Sequence, residues 1–255
     1  MLPQAQLCSQ DSEELRRLVK VRTTLVQSMV SVKNQLHGLL LGHGVESKRG
    51  QLQSIKERRR VRHELAAHNV AGDAVEPLFE TLDALAKQVK QIEAALERMT
   101  AEDETVRLLR TIPGAGLITA VTIRAFTDEI ARFATPGKYA AYAGLRPWMQ
   151  QSHKTVRYGR ITKHGPVELR TALVQVLLGM VRMRRHTANY RIMQRYEAMK
   201  RTKGSGRSII AGARKLSEII WHMLTKGQPF DEAKMLSPEL HRKAQQMQAT
   251  ALDVA

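Results

Sequence analysis

The sequence predicts a mainly α-helical protein, in which antiparallel coiled-coil helices are followed by a helical domain with a small β-hairpin. Two long stretches in the first 100 residues carry apolar side chains every three or four positions, which is the helical period. Later apolar runs keep this period but are separated by Pro and Gly, and one short segment near residue 155 reads as extended. We therefore expect a coiled-coil and dimerisation region at 1–100, a second domain at 101–228 and a polar tail at 229–255.

The first two helices are predicted from two apolar stripes. The first has Arg22 at its one polar position, and the second is apolar at all eight positions, as in a heptad repeat. A glycine-broken connection and the basic run KERRRVRHE, a secondary candidate for contact with nucleic acid, lie between them. The pair is either the core of a helical bundle or, as we favour, a projecting coiled coil that joins subunits into a dimer or tetramer. The stripes are Leu15, Leu18, Leu25, Met29, Val32, Leu36 and Leu39, then Val75, Leu78, Leu82, Leu85, Val89, Ile92, Leu96 and Met99.

The segment RTIPGAGLITA, residues 110–120, interrupts the next helical pattern with one Pro and two Gly. Glycine accepts positive φ and lets another group approach the backbone closely, and the N–H groups at a helix start can bind a phosphate. The segment resembles a helix-hairpin-helix motif, which grips the DNA backbone without reading bases, so Gly114 and Gly116 are candidate contacts. The alternative is a tight turn between packed helices that binds no ligand.

The rest of the second domain is predicted as short helices around the β-hairpin. ATPGKYAAYAGLRP, residues 134–147, opens with Pro-Gly and predicts a short helix, and the extended segment follows it. Pro166 begins an amphipathic helix, a basic helix follows Ala188, and a GSG hinge precedes a last helix from Ser208 to Leu224.

Charge indicates the kind of partner. The chain carries 41 Lys and Arg against 24 Asp and Glu, a net charge of +17, and residues 146–215 hold 17 of the basic residues and only 2 of the acidic ones. Such a concentrated excess predicts a polyanionic partner, namely DNA and structured RNA. Lys154, Arg157, Arg160 and Lys163 are candidate phosphate contacts around the hairpin. Arg184 and Arg185 belong to the same basic window and are assigned to nucleic-acid binding as well.

The remaining composition predicts a cytoplasmic protein without a membrane partner. The first ten residues lack the basic and apolar regions of a secretory signal, and Cys8 is the single cysteine, so no internal disulfide can form. The longest apolar stretch, Thr171 to Val181, is too short to cross a bilayer.

Four segments together resemble the C-terminal transposase domain of the insertion-sequence 110 family, which also includes DNA invertases of pilin switches. They are IPGAGLITAVTI, FATPGKYAAYAGLRP, QSHKTVRYGRITKHGPVELRTALVQ and ARKLSEIIWHML, and they extend from about Arg107 to Leu224. The most specific pieces are AYAGLRP and RYGRITKHG. Upstream, LVQSMVSVKNQLHGLLLGHG between Leu25 and Gly44 resembles the central coiled coil of that family.

This resemblance implies a transposase or recombinase that moves DNA with the help of a structured guide RNA. In the family, an N-terminal RuvC-like domain with four metal-binding acidic residues works with a C-terminal serine nucleophile. That serine matches Ser152, which would attack a DNA phosphate and form a covalent link. Composition alone would assign a lone serine here to turn chemistry, because a free hydroxyl is a poor nucleophile without a base or metal.

The RuvC-like domain has no counterpart that we recognise in this sequence, so we expect a truncated or split family member. We expect no metal site in the chain itself, and Mg²⁺ only together with the missing domain, which a separately encoded partner could supply. The second interpretation is a non-catalytic nucleic-acid-binding remnant or accessory subunit. Both interpretations explain the charge and the glycine turn, but only the first one needs Ser152.

Overall fold

The computed structural model describes residues 7–45, 50, 52–67, 72–152 and 155–236, and for residues 67, 72–74, 150–152 and 155–158 it describes the backbone alone. The fold is mainly helical with one antiparallel pair of strands, as predicted. The helices are α1 (Gln10–Gly42), α2 (Ile55–Ala67), α3 (Gly72–Met99), α4 (Glu104–Arg110), α5 (Leu117–Thr127), α6 (Pro136–Tyr142), α7 (Val167–Arg182), α8 (Arg184–Thr187), α9 (Arg191–Lys203), α10 (Ser205–Lys226) and α11 (Glu232–Met235), with a 3₁₀ turn at Ile130–Arg132; the strands are β1 (Pro147–Ser152) and β2 (Thr155–Ile161).

These elements form two compact units. One unit is built from the described parts of residues 1–16 and 100–255, and the other from those of residues 17–99. Helix α1 therefore contributes its first turns to the former and the rest of its length to the latter.

The unit of residues 17–99 is built around two antiparallel helices. Arg22 near the start of α1 forms a 2.7 Å ion pair with Glu93 near the end of α3. At the other end of the pair, Leu36 and Leu40 of α1 share one buried cluster with Phe79 and other residues of α3. The predicted antiparallel arrangement is thus confirmed within a single chain.

Helix α2 closes the same cluster with Val61 and Leu65. The first part of the α3 stripe is therefore covered by α1 and α2 of its own chain, and Leu82 is fully buried there. Pairing of subunits through the stripe stays a prediction.

The basic run in α2 is tied into this unit by ion pairs. Arg58 is buried, donates from Nε to Asp83 Oδ1 at 2.7 Å and from Nη1 to the carbonyl oxygen of Leu52 at 3.2 Å. Arg62 binds Asp83 and Glu76 and lies 4.7 Å from the ring centroid of Phe79. These arginines stabilise the packing of α2 on α3.

The other unit packs α5, α7 and α10 around a shared apolar core. Its largest fully buried side chains include Leu109, Ile123, Tyr139 and Leu169, which come from α4, α5, α6 and α7. Tyr139 donates or accepts a 2.7 Å hydrogen bond with Thr127, and burial raises its pKa well above the ordinary value.

The start of α1 is fastened to α5 of this unit by a polar cluster. Asp128 accepts hydrogen bonds from the hydroxyls of Ser9 at 2.6 Å and Ser12 at 2.7 Å. Arg124 donates to Asp103 at 2.9 Å and to Ser12 at 2.7 Å. Burial alone would raise the pKa of Asp128, but the serine hydrogen bonds and the Arg124 charge lower it overall.

The first residues of the predicted tail pack on this unit. Phe230 is buried, its backbone N–H donates to Thr111 Oγ1 at 2.9 Å, and its ring lies 5.9 Å from that of Tyr190. Residues 237–255 lie outside the described residues.

Candidate nucleic-acid interface

Ser152 is the last residue of strand β1, at the turn of the β-hairpin. Its backbone pairs with Thr155, the first residue of β2, and the pairing continues through Gln150 with Arg157. The two connecting residues, His153 and Lys154, lie outside the described residues. The predicted hairpin is thus confirmed, and it carries the candidate nucleophile at its turn end.

The base of the hairpin is held by close backbone packing. After β2 the chain returns across the end of α6, and Lys163 N–H donates to the Gly144 carbonyl at 3.2 Å. Gly165 has a φ of +104°, and a Cβ there would overlap the carbonyl oxygen of Tyr142. Gly144 has a φ of +69°, and a Cβ there would overlap the carbonyl oxygen of His164. Only glycine fits both positions.

Arg170 in the first turns of α7 ties the two sides of this base together. Its Nη1 atom donates to the carbonyl oxygens of Ala143 at 3.4 Å and Lys163 at 3.2 Å. Sequence reasoning missed this residue and the two glycines as positioning groups. The available signal was that AYAGLRP and RYGRITKHG, the most specific segments, each contain one of the glycines, and the structure shows that these segments pack on each other.

The predicted phosphate contacts are described to different extents. Arg160 and Lys163 are exposed, and both lie near the base of the hairpin. Lys163 has a φ of +56°, an uncommon conformation for a residue with a side chain. For Arg157 the structure gives only the backbone position in β2, and Lys154 falls outside the described residues.

The glycine turn between α4 and α5 has a backbone conformation that favours glycine, and it packs closely against α7. Gly114 has a φ of +87°, and a Cβ there would lie 2.6 Å from the backbone nitrogen of Met180 and 2.7 Å from the carbonyl carbon of Gly179. The two glycines therefore allow the turn and α7 to touch backbone to backbone.

Gly116 is different, because a Cβ there would have no described atom within 4 Å. It precedes α5, whose start receives no capping hydrogen bond from a side chain in the described part of the chain. Its phosphate contact stays a prediction, as does that of Gly114.

The two predicted groups of site residues lie at opposite ends of α7. Arg170, at the hairpin base, is nine residues before Gly179, which corresponds to about 13 Å along a helix. Arg184 and Arg185 follow the end of α7, are both exposed, and Arg184 lies 3.7 Å from Glu197. The hairpin is thus separated from the glycine turn and the Arg184–Arg185 pair.

The surface of this unit carries a large excess of exposed cations. Glu168 and Glu197 are the only acidic residues from 146 to 215. A surface of this charge suits a polyanion that contacts several cations at once. The exposed basic side chains in this window include Arg146, Arg160, Lys163, Arg182, Arg184, Arg185, Arg191, Arg195, Lys200, Arg201, Lys203 and Arg207.

Neither a cluster of metal-binding side chains nor a membrane-spanning helix is present among the described residues. No three His, Cys, Asp or Glu side chains come together there in a way that could hold a metal ion. None of the described helices combines the length and apolar character needed to span a bilayer.

Comparison with known proteins gives consistent matches. The model of the family described as "Transposase IS116/IS110/IS902 family" matches residues 106–196. The chain is 26% identical over 226 residues to the transposase for insertion sequence element IS1111A of Coxiella burnetii, covering 86% of this chain and 61% of that protein. It is 28% identical over 229 residues to the transposase for insertion sequence element IS1328 of Yersinia enterocolitica, covering 88% of this chain and 66% of that protein.

A pilin gene-inverting protein of Moraxella lacunata is 32% identical over 126 residues, which cover 49% of this chain and 38% of that protein. The chain thus spans 61% and 66% of the two insertion-sequence transposases. The family match encloses the glycine turn, the β-hairpin with its base, and α7. Residues 106–196 of this chain thus match the IS116/IS110/IS902 family of transposases.

Proposed function

We propose that this chain supplies the DNA-cleaving serine of a transposase, with Ser152 as the nucleophile. The observation that carries the proposal is the position of Ser152 at the turn end of a hairpin whose base is fixed by Gly144, Gly165 and Arg170. A reacting group gains rate from being held in place, and a two-stranded hairpin on its own would be too weakly stable to do so.

The proposed reaction is the transfer of a DNA phosphoryl group to serine. A bond forms between Ser152 Oγ and phosphorus, one ester bond of the DNA backbone breaks, and the leaving oxygen takes up a proton. Arg160 and Lys163 neutralise charge on the phosphate oxygens during this step. While they are protonated they cannot accept the serine proton, so a base has to come from elsewhere.

We further propose that an acidic, metal-binding domain provides this activation, either in a longer chain or as a separate protein. A structured guide RNA binds the same basic surface and selects the DNA, and the complex is a dimer or tetramer that acts in the cytoplasm. The net charge of the 146–215 segment supports the RNA and DNA parts of this proposal.

The test is to trap the covalent intermediate. The chain, an acidic domain from a full-length relative, guide RNA and labelled DNA are combined, and adducts that survive denaturant are mapped by mass spectrometry. We expect the label on Ser152, no adducts with Ser152→Ala, and normal adducts with the control Ser205→Ala, which changes an exposed serine of α10.

DNA binding is measured on the same variants. Ser152→Ala should bind DNA like the parent, because one hydroxyl adds little to a contact made of many phosphates. Adducts on another serine, or adducts that persist in Ser152→Ala, would contradict the assignment. Normal binding without any adduct would favour the non-catalytic interpretation.

A further inference from the structure

Trp148 is a large aromatic side chain that the fold leaves half uncovered. It lies on β1 and is 52% exposed, and the neighbouring Met149 is 43% exposed. Neither the core of its unit nor the proposed serine chemistry uses the indole. An exposed tryptophan near the proposed nucleophile Ser152 indicates a binding partner with a flat apolar surface.

Trp148 lies at a bulge in the strand pairing of the hairpin. Met149 pairs with Tyr158 and Pro147 with Ile161, so Trp148 lies opposite two residues of β2, Gly159 and Arg160. A bulge of this kind redirects a side chain, and bulges recur beside active sites. It gives Trp148 a special position on an otherwise regular hairpin.

The indole ring of Trp148 packs against the backbone of Gly159. A Cβ at Gly159 would lie 3.0 Å from Trp148 Cε3, so a larger residue would push the indole away. The ring thus rests on the backbone of β2 while about half of its surface stays open to solvent. An aromatic side chain fixed in this way loses little conformational freedom when a ligand stacks on it.

The charges around Trp148 indicate which ligand fits. From residue 130 to residue 167 the sequence contains no Asp or Glu, but it contains seven Lys and Arg. Arg146, Arg160 and Lys163 are exposed at the base of the same hairpin. An aromatic ring among cations is the arrangement that binds single-stranded nucleic acid, since bases stack on the ring and cations hold the backbone.

We propose that Trp148 is a stacking platform for an unpaired base of the DNA strand that Ser152 cleaves. This rests on the proposed function, and it adds that the DNA is locally unpaired at the hairpin. A second copy of this chain is a poorer occupant, because like charges would face each other across the contact.

The spacing along β1 fits this proposal. Trp148 precedes Ser152 by four residues of strand, which is about 13 Å. DNA rises about 3.4 Å per nucleotide along each strand, so the stacked base lies within about four nucleotides of the phosphate at Ser152. A platform this close helps to separate the strands near the bond that breaks.

The experiment compares single-stranded DNA with a blunt duplex of the same length and a single-stranded RNA of the same sequence. Affinity is measured by fluorescence anisotropy for the parent chain, Trp148→Leu, Trp148→Phe and the control Val167→Ala. Val167 is 56% exposed and aliphatic, so its change removes apolar surface without removing an aromatic face. Circular dichroism and light scattering check the helical content and the mass of each variant.

We expect Trp148→Leu to bind single-stranded DNA about 5- to 150-fold more weakly, the effect of losing one stacked base, and to bind the duplex like the parent. Trp148→Phe should keep most of the affinity, and Val167→Ala should keep all of it. An equal loss for strand and duplex, no loss for the strand, or a loss confined to RNA would overturn the platform. So would a change in molar mass, which would assign Trp148 to a contact between copies.

The two proposals fail in different ways. A parent chain that binds no nucleic acid overturns the proposed function together with the platform. The other outcome is a parent chain that binds DNA with a steep salt dependence while Trp148→Leu binds every substrate equally well. That result overturns the stacking role of Trp148 alone.

Discussion

The contact between Gly114 and Gly179 can be tested by adding a single methyl group. In Gly114→Ala the new Cβ would lie 2.6 Å from Met180 N, 2.7 Å from the Gly179 carbonyl carbon and 2.8 Å from its Cα. All three are backbone atoms, so α7 has to move. Overpacking of this kind costs about 1–3 kcal/mol, and a left-handed φ costs alanine about 1–2 kcal/mol more. The free energy of unfolding should therefore fall by about 2–5 kcal/mol.

The reciprocal change is expected to be milder. In Gly179→Ala the Cβ would approach the Gly114 carbonyl oxygen at 2.6 Å, but Gly179 lies inside α7. Alanine favours a helix over glycine by about 1 kcal/mol, which offsets part of the overpacking. The double variant should lose less stability than the sum of the two single variants, because both methyl groups force apart the same pair of backbones.

Gly116→Ala serves as the stability control for Gly114→Ala and also tests phosphate binding at Gly116. Gly116 has a φ of −89°, which any residue adopts, and open space at its Cβ position. Its unfolding free energy should fall by no more than about 1 kcal/mol. If a phosphate contacts its backbone N–H, the added Cβ would block the close approach, and affinity for DNA should fall about 10-fold or more, since a hydrogen bond to a charged group contributes about 1.5–3 kcal/mol.

Urea unfolding followed by circular dichroism gives the stabilities, and fluorescence anisotropy gives the DNA affinity. Gly114→Ala as stable as the parent would refute the close approach to α7. Gly116→Ala that folds and binds like the parent would refute the phosphate contact at that position.

Substitutions at two further residues, Lys163 and Asp128, test single positions of the same unit. Lys163→Gly should leave the free energy of unfolding unchanged or raise it by up to about 1 kcal/mol, because glycine relieves the positive φ. The slope of log affinity against log salt should become shallower by about 1, which corresponds to the loss of one phosphate contact. Lys163→Ala should show the same binding loss without the relief, and equal stabilities of the two variants in urea would contradict the role of backbone strain. Asp128 has a lowered pKa, so its carboxylate stabilises the fold above its unfolded-state pKa near 3.8, and this stability is lost as the pH falls through the lowered value. Asp128→Asn should be less stable at neutral pH and show a weaker loss in acid, and an unchanged acid unfolding profile would contradict this.

The long helices could be predicted from the sequence because their apolar positions repeat at the helical period along a single segment. The stripes that start at Leu15 and Val75 predicted α1 and α3 and their antiparallel order. The heptad pattern missed Phe79, which is fully buried, because α2 covers the side of α3 on which Phe79 lies. The heptad pattern of α3 alone does not show that α2 packs beside it.

The contacts that shape the candidate site join residues far apart in the sequence, and no local pattern contains them. Gly114 meets Gly179, and Arg170 reaches back to the Ala143 carbonyl, 27 residues earlier. The glycines themselves were visible, and so was the requirement for close approach that they imply. What the sequence did not contain was the identity of the approaching group, which for Gly114 is a protein backbone.

Helix α7 sets the spacing between the hairpin and the glycine turn. It contributes Arg170 to the hairpin base and Gly179 to the contact with the turn, about 13 Å apart along its axis. Each DNA strand carries a phosphate charge about every 3.4 Å, so one DNA that is paired at the glycine turn and unpaired at the hairpin can offer phosphates to both places at once. Under the proposed function, a phosphate contact at Gly116 would hold the DNA at one place while Ser152 reacts at the other. In this arrangement, changes at Gly116 weaken binding, and changes at Ser152 remove chemistry without weakening binding.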